Sequence, residues 1–98
     1  MAIQSFKNDG TEDINYGRVT RQSLRILPRE LHHKAQVKLA RLSAALNLLD
    51  LKSLPGNRFE ALKGNRKGEY SIRINDQYRI CFRWTNEQAL DVEIVDYH

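Results

Sequence analysis

The second half of this 98-residue chain carries side chains that could act together on a phosphodiester. Arginine offers several N–H donors in one plane to phosphate oxygens, and histidine exchanges protons near neutral pH. Metal-independent cleavage of RNA needs a base for the 2′-hydroxyl proton, cations for the charge on the phosphate, and an acid for the leaving 5′-oxygen. The candidates are Glu60, Lys63, Arg73, Arg79, Asp96, Tyr97 and His98.

The chain finishes with DVEIVDYH, in which a strand pattern runs into an acid, a phenol and an imidazole. Val92 and Ile94 alternate with acidic residues, so we expect both to face a core and Tyr97 to lie on the outward face. Terminal residues usually bury too little to stay ordered. Reactive side chains at such a position suggest a role, and we expect this strand to finish beside Arg79 and to carry His98 into a reactive site.

Positive charge is concentrated in the same half of the chain. The net charge is +4 and the isoelectric point is about 9.5, and residues 58–83 hold seven Lys or Arg against three Asp or Glu. Such a block attracts polyanions, of which nucleic acid is the commonest. The composition equally favours a cationic, solvated surface, and a basic face with a terminal histidine also suits passive binding of RNA or protein.

Length and composition favour a single soluble domain spanning residues 1–98. The first residues, MAIQSFKNDG, contain no signal-peptide hydrophobic region, and no apolar run approaches the ~20 residues of a membrane span. The one cysteine, Cys81, excludes an internal disulfide and is expected to pack within a strand. We expect a cytoplasmic protein without cofactor or metal, because no Gly-rich phosphate loop, metal-ligand spacing or Ser-His-Asp arrangement is readable.

The N-terminal part predicts a short strand over residues 2–6 and a short helix over residues 9–17. Asp9 or Thr11 suits the N-cap of this helix, and acidic side chains suit its positive end. Residues 18–27 are predicted to form a connection.

A longer helix is predicted from Pro28 to about Leu49. Proline suits a first helical position, and apolar residues recur at helical spacing to form one stripe. His32 and His33 are adjacent and cannot share a helix face, so we expect them on the solvated surface rather than at a metal. A turn at residues 54–57, LPGN, ends this half. The stripe comprises Leu31, Ala35, Leu39, Leu42, Leu46 and Leu49.

Two alternating rows in YSIRINDQYRICFRW predict a β-hairpin with a defined register. Both apolar rows reach one core only if Ile74 lies opposite Tyr78, which requires an odd loop of residues 75–77. That register places Arg73 directly opposite Arg79 on the other face, where like charges repel. We therefore expect an anion to bind between the two arginines, unless both side chains splay into water.

Another hairpin turn, at residues 85–87, leads into the final strand. The elements together predict a sheet with helices on one side and an arginine-rich open face on the other. This open face is the expected site.

The string EALKGNRKGEYSIRINDQYRICFRW and the terminal VEIVDYH resemble those of HigB-type toxins, also called plasmid-maintenance killers, of the RelE/ParE superfamily. The similarity covers essentially the whole chain, from its I-x-S-F opening onward. It implies an α+β, RelE-like fold, in which a small antiparallel-rich sheet has two helices packed on one face. It also implies a cytoplasmic type II toxin that cleaves mRNA in the ribosomal A site.

The resemblance implies partners as well. A HigA-like helix-turn-helix antitoxin is expected to bind and neutralise the toxin. The complex of the two is expected to bind operator DNA and repress its own operon. Ribosomes carrying mRNA are the expected target, and no membrane is involved.

Carried over position by position, the resemblance assigns roles to the candidate residues. Arg79 matches an arginine that stabilises the scissile phosphate, and Lys63 in LKG matches a basic residue near the active face. Asp96, Tyr97 and His98 match the terminal acid, aromatic residue and histidine of the active site.

One position departs from the family pattern. Glu60 stands where some relatives carry a histidine, and a carboxylate can act as a base but cannot act as a cation on phosphate. Glu60 is therefore either catalytic or a solvated surface residue. The expected RNA-binding residues are Lys63, Arg66, Lys67 and Arg73.

Two rival functions are compatible with the sequence. A ParE-like toxin would bind a protein target such as DNA gyrase without cleaving anything. A degenerate toxin would only bind its antitoxin and regulate transcription. The arginine of the RIC string and the intact DYH terminus favour the nuclease.

Overall fold

The computed structural model describes residues 2–97. Its sheet is a four-stranded antiparallel meander in the order β1-β2-β3-β4. The strands are β1 (Glu60–Ala61), β2 (Glu69–Arg73), β3 (Tyr78–Thr85) and β4 (Gln88–Asp96). The predicted α+β class with an antiparallel-rich sheet is confirmed.

Helices pack against one face of this sheet. They are α1 (Asp9–Asn15), α2 (Arg21–Ile26), α3 (His32–Ala44) and α4 (Leu48–Lys52), with 3₁₀ turns at Arg29–Leu31 and Gly64–Arg66. The helices α2 and α4 add to the two that were expected. None of the helices within residues 2–97 is long and apolar enough to cross a membrane.

The hydrophobic core lies between the helices and the inward face of the sheet. Its sheet side consists of the alternating residues of the predicted hairpin and of β4. Its helical side comes mainly from α3, with Ile14 from α1 and Leu51 from α4. Removal of this apolar surface from water is the main force that holds the two layers together. Fully buried members include Ile14, Leu39, Leu42, Ile72, Ile80, Phe82 and Val92.

The N-terminal segment lies along the free edge of β4 in parallel orientation. Ile3 pairs with Ala89 and Phe6 pairs with Val92, each as an isolated bridge. The strand predicted for residues 2–6 is therefore present only as two separate contacts.

Helix α1 confirms the short helix predicted after the N-terminal segment, but its cap differs. The side chain of Asn8 accepts a hydrogen bond from the backbone N–H of Thr11 at 2.9 Å. The predicted caps Asp9 and Thr11 were wrong because the helix begins one residue earlier than a cap at Asp9 requires and three earlier than a cap at Thr11 requires.

Helix α2 occupies residues that were predicted to form a connection. Thr20 and Ser23 form a capping box, in which each side chain accepts a hydrogen bond from the other's backbone N–H. The helix packs closely on α1, since a Cβ at Gly10 would lie 2.1 Å from Ile26 Cδ1. A helix this short shows less than two turns of periodicity, so its capping pair is the main local signal.

The predicted long helix ends early and is followed by a second one, α4. Asn47 starts α4 through a capping box of its own, so the apolar residues resume with a new phase. Leu46 and Leu49, the last two members of the predicted stripe, are 71% and 67% exposed, whereas Leu51 is fully buried. The prediction failed here because a capping signal interrupted an otherwise continuous period.

His32 is buried, contrary to the prediction that both histidines lie on the solvated surface. Its Nε2 is 2.9 Å from the carbonyl oxygen of Leu27. The 3₁₀ turn before α3 brings this carbonyl to the ring, and the hydrogen bond makes burial of the imidazole tolerable. His33 is exposed, as expected.

The hairpin register is the predicted one. Ile74 N–H donates to the Tyr78 carbonyl at 2.9 Å, and Arg73 is the cross-strand partner of Arg79. The turn after β3 is also confirmed, with the tight pair Asn86-Glu87 at positive φ, as a two-residue hairpin loop requires.

A β-bulge in β4 was not predicted. Asp91 has a φ of +53°, and the register between β3 and β4 shifts at this point. The extra residue allows Ala89 and Val92, three positions apart, both to face the core. Alternation is regular again from Val92 onward, which is why the predicted faces of Val92, Ile94 and Tyr97 were correct.

A buried lysine ties α3 to the segment before β1. Lys38 donates to the side-chain oxygen of Asn57 at 2.8 Å, and burial lowers the pKa of Lys38. Asn57 is fully buried, donates to the Leu51 carbonyl at 3.0 Å, and accepts from Arg73 N–H at 2.6 Å. The side chain of Asn57 therefore joins α3 to α4, and its backbone carbonyl joins this segment to β2.

We expect Asn57→Ala to lower the free energy of unfolding by about 2–4 kcal/mol, because it leaves a buried ammonium and a buried carbonyl without partners. Chemical denaturation followed by circular dichroism measures the change. Asn65→Ala, on an exposed turn, is the control and should change stability by less than about 0.5 kcal/mol. Equal effects of the two substitutions would show that the Asn57 hydrogen bonds do not stabilise the fold.

Candidate active site

Arg79 lies at the centre of the outward sheet face and is largely buried. Its side chain is only 9% exposed, which is rare for an arginine. Nε donates to Ser71 Oγ at 2.8 Å, and Nη2 donates to the Ser71 carbonyl at 3.3 Å and to the Arg58 carbonyl. The guanidinium has three nitrogens, and among the described residues only Nη1 has no hydrogen-bond acceptor. The Nη1 edge is therefore available to an anion.

Glu60 faces the same guanidinium from β1. Its Oε1 lies 3.3 Å from Nη2 of Arg79, and its side chain is 54% exposed. Glu60 is also the cross-strand partner of Ser71. The sheet register therefore brings a carboxylate, a hydroxyl and a guanidinium together.

The two opposed arginines have separate acidic partners. Arg73 forms an ion pair with Asp76 in the hairpin loop, and the hydrogen bond and charge of Arg73 lower the pKa of Asp76. Arg79 has Glu60. These pairs reduce the cross-strand repulsion within the chain itself, and the anion expected between the arginines stays a prediction.

Strand β4 leads to Tyr97 beside Arg79, as predicted. The ring centroid of Tyr97 is 5.6 Å from Cζ of Arg79, which is a cation–π distance. Tyr97 N–H donates to the Gln77 carbonyl at 2.6 Å, and Gln77 Nε2 donates to Asp96 at 3.0 Å. His98 lies outside the described residues.

The basic residues around the second 3₁₀ turn differ in their availability. Lys63 and Lys67 are exposed and, within residues 2–97, have no ion-pair partner. Arg66 donates to Glu69 at 2.8 Å and to Glu93 at 3.2 Å. Burial would lower the pKa of Arg66, but the hydrogen bond to Glu93 and the surrounding charges raise it. The two lysines offer charge to a polyanion, whereas Arg66 is held by internal carboxylates.

Cys81 lies one row along the sheet from Arg79, between Ser71 and Glu93. It is fully buried although it is on the outward face, and the charges of Arg66, Glu69 and Glu93 act on its thiol. Burial raises the pKa of its thiol to about 11. The thiol therefore stays protonated near neutral pH and packs, as predicted.

Two partners of Arg79 were not predicted. Ser71 shares the outward parity of Arg73, so the hairpin register contained the signal that places it beside Arg79. The carbonyl of Arg58 comes from a loop residue with a φ of +44°, and no pattern of residue types indicates where a loop carbonyl points.

This site is an open face rather than a cavity. A concavity of about 390 Å³ lies between the end of α3, Ala2 and the turn after β3, and one of about 300 Å³ lies at the junction of α3 and α4. The residues that line them include none of the arginine face. Within residues 2–97, no three His, Cys, Asp or Glu side chains are grouped so that they could hold a metal ion. An oriented guanidinium with an aromatic ring beside it can bind a phosphate and an adjacent base.

Comparison with known proteins identifies relatives over most of the chain. The family model that matches residues 4–98 describes a RelE-like toxin of the type II toxin-antitoxin system HigB. Toxin HigB-1 of Vibrio cholerae is 46% identical over 67 residues, which are 68% of this chain and 70% of that protein. An uncharacterised protein of Haemophilus influenzae is 37% identical over 63 residues, which are 64% of this chain and 62% of that protein.

Solved toxin structures share the fold. The YoeB-YefM complex from Staphylococcus aureus aligns with a TM-score of 0.58 at 20% identity, over 100% of this chain and 99% of that chain. A YoeB/ParE toxin from Agrobacterium tumefaciens aligns with a TM-score of 0.55 at 15% identity, over 98% and 99% of the two chains. At these identities the likeness concerns the fold alone.

We expect the thiol of Cys81 to resist alkylation by iodoacetamide at about pH 8, because burial excludes the reagent and the raised pKa keeps the thiol protonated. Mass spectrometry should detect no label on the native protein and a label after denaturation in guanidinium chloride. Asn65→Cys adds an exposed thiol and should be labelled in the native state. Rapid labelling of native Cys81 would contradict its packing role.

Proposed function

Since this chain belongs to the HigB-like, RelE-like toxins of type II toxin–antitoxin systems, we propose that it stops translation by cutting mRNA on the ribosome. The observation that carries the proposal is the orientation of Arg79 by Ser71 and the Arg58 carbonyl. Donors that are oriented before the reaction stabilise charge that develops in a transition state, because they need no reorganisation. Arg79 is such a donor on a basic, open face.

In the proposed reaction, the 2′-oxygen of RNA attacks the adjacent phosphorus and the bond to the 5′-oxygen breaks. The products are a 2′,3′-cyclic phosphate and a free 5′-hydroxyl. A base takes the 2′-hydroxyl proton, and an acid gives a proton to the departing 5′-oxygen. Arg79 binds the non-bridging oxygens, on which the negative charge increases.

The terminal residues supply proton transfer and positioning in this proposal. His98 transfers a proton, since imidazole titrates near neutral pH. Asp96, two positions before it, orients the ring or favours its charged form. Tyr97 is 44% exposed beside Arg79 and stacks on a nucleotide. Glu60 is the alternative base.

The surrounding cations hold the RNA backbone. Lys63, Lys67 and Arg73 are the contacts we propose, and Arg66 is the weakest candidate because two carboxylates already bind it. The face is open, so a flexible RNA strand would not be aligned by it alone. The ribosome supplies that alignment, which is a large part of the rate of such reactions.

An antitoxin is the proposed protein partner. The structural relative YoeB from Staphylococcus aureus was solved with YefM. We propose that a HigA-like helix-turn-helix antitoxin neutralises this chain, and that the complex binds operator DNA. The ribosomal target places the active toxin in the cytoplasm.

Arg79→Ala should lower ribosome-dependent mRNA cleavage by about 100-fold or more, because one oriented charge contact is lost. Arg79→Lys should restore little, since an ammonium lacks the planar fork. Primer extension on mRNA from a purified translation reaction measures cleavage. Arg83→Ala is the matched control. Arg83 lies on the same strand and face, but its side chain is 52% exposed and its ion pair with Asp91 is long, at 3.8 Å.

Cleavage of naked RNA and DNA supercoiling by gyrase separate the rival functions. The purified protein should cut naked RNA poorly and should leave DNA supercoiling by gyrase unchanged. Efficient cleavage of naked RNA would exclude the ribosome-dependent mechanism, and gyrase inhibition without mRNA cleavage would favour a ParE-like toxin. Undiminished cleavage by a folded Arg79→Ala protein would remove Arg79 from the site.

His98→Ala should also lower cleavage by about 100-fold or more, the usual contribution of general acid–base catalysis. His33→Ala, which removes an exposed imidazole from α3, should leave cleavage unchanged. Binding of the antitoxin to both variants checks that they fold. Full activity of His98→Ala would assign proton transfer to Asp96 or Glu60.

A further inference from the structure

The partners of Arg79 are unequal in strength. Nη2 donates to two backbone carbonyls, of Arg58 and Ser71, and Nε donates to Ser71 Oγ. Glu60 Oε1 is within ion-pair distance of Nη2, at 3.3 Å, but is not one of its hydrogen-bond acceptors. Electrostatic attraction alone therefore holds Glu60 beside the guanidinium.

Glu60 is also the partner that can leave most easily. Its side chain is 54% exposed, whereas the side chain of Arg79 is 9% exposed. Within residues 2–97, the Glu60 carboxylate has no other ion pair and no hydrogen bond, and it projects from β1, an edge strand of two residues. Exposed ion pairs of this kind are weak and are screened by salt.

We propose that Glu60 is a displaceable counter-ion, which neutralises Arg79 at Nη2 until a substrate phosphate of RNA binds at the Nη1 edge. Ser71 is the positioning residue that keeps the guanidinium oriented while the two anions exchange. The inference rests on the proposed function, in which Arg79 binds the scissile phosphate.

The exchange follows from the charges on this face. A buried guanidinium without a counter-ion is costly, and a nearby carboxylate reduces this cost while the site is empty. A phosphate that reaches the open Nη1 edge repels the carboxylate, which turns into solvent because nothing else binds it. A weakly held anion therefore competes less well with Glu60 for Arg79 than a phosphate held by further contacts, such as mRNA on the ribosome.

The test is anion binding by the full chain without cleavage. Glu60→Gln keeps the shape of the side chain and removes its charge. The probes are inorganic phosphate and a single-stranded oligoribonucleotide with 2′-O-methyl groups, which cannot be cleaved by attack of the 2′-oxygen. The Nε resonance of Arg79 reports binding in ¹⁵N NMR titrations. We expect Glu60→Gln to bind both probes about two- to fivefold more tightly at low salt, with a smaller gain at high salt.

Asp91→Asn is the matched control for net charge. It removes one negative charge from another exposed ion pair, with Arg83, and asparagine tolerates the φ of +53° at this position. The Arg79 resonance should titrate in this variant as in the wild-type protein. An equal gain in both variants would mean that only net charge matters, and would overturn the proposal.

Ser71 is tested in the Glu60→Gln background. Ser71→Ala should shift the Nε resonance of Arg79 before any probe is added and should weaken phosphate binding severalfold. Ser71→Thr keeps the hydroxyl and should restore binding, which a merely structural role of the side chain would not require. Unchanged binding in Ser71→Ala would exclude Ser71 as a positioning residue.

The outcomes separate this inference from the proposed function. If the Arg79 resonance responds to RNA but Glu60→Gln gives no gain, Glu60 is not a counter-ion and the proposed function stands. If the resonance responds to neither probe in Glu60→Gln, Arg79 is not a phosphate site and both proposals fail.

Discussion

The register of the β2–β3 hairpin is the constraint on which the core and the site both depend. The side chain of Asn75 accepts hydrogen bonds from the backbone N–H of Gln77 at 2.9 Å and of Tyr78 at 2.8 Å, and so closes a loop with an odd number of residues. A slip of one residue would turn the apolar row into solvent and the arginines into the core. Core packing therefore selects the pairing that also places Arg73 opposite Arg79.

Two buried cations are bound by consecutive residues in the segment before β1. Lys38, in the helix layer, donates to Asn57, and Arg79, on the outward face, donates to the carbonyl of Arg58. Arg58 has a φ of +44°, a conformation that is unfavourable for a side chain of this kind. The hydrogen bonds on both sides hold it in place, so the packing of α3 and the orientation of the candidate catalytic arginine share one support.

Prediction succeeded in the sheet and failed in parts of the helix layer for a physical reason. Alternation has a period of two, so even five residues of β2 show which side chains face the core. The helices α2 and α4 are each shorter than two turns, and their positions depend on capping pairs rather than on periodicity. The predicted stripe to Leu49 was wrong because a new helix begins after Asn47 and its residues face other directions. The solvated position predicted for His32 was wrong because the 3₁₀ turn before α3 brings the Leu27 carbonyl to its ring.

The sequence by itself determined the sheet register, the outward placement of Arg79 and Tyr97, and the family to which the residue strings point, because these depend on local alternation and on residue identity. Only the tertiary structure decided what surrounds Arg79. The Arg58 carbonyl is 21 positions away along the chain and Ser71 is 8 positions away. Glu60 reaches the guanidinium through an edge strand of only two residues. Contacts between such distant segments form only after the chain has packed, and whether a charged side chain is buried and oriented is a property of that packing.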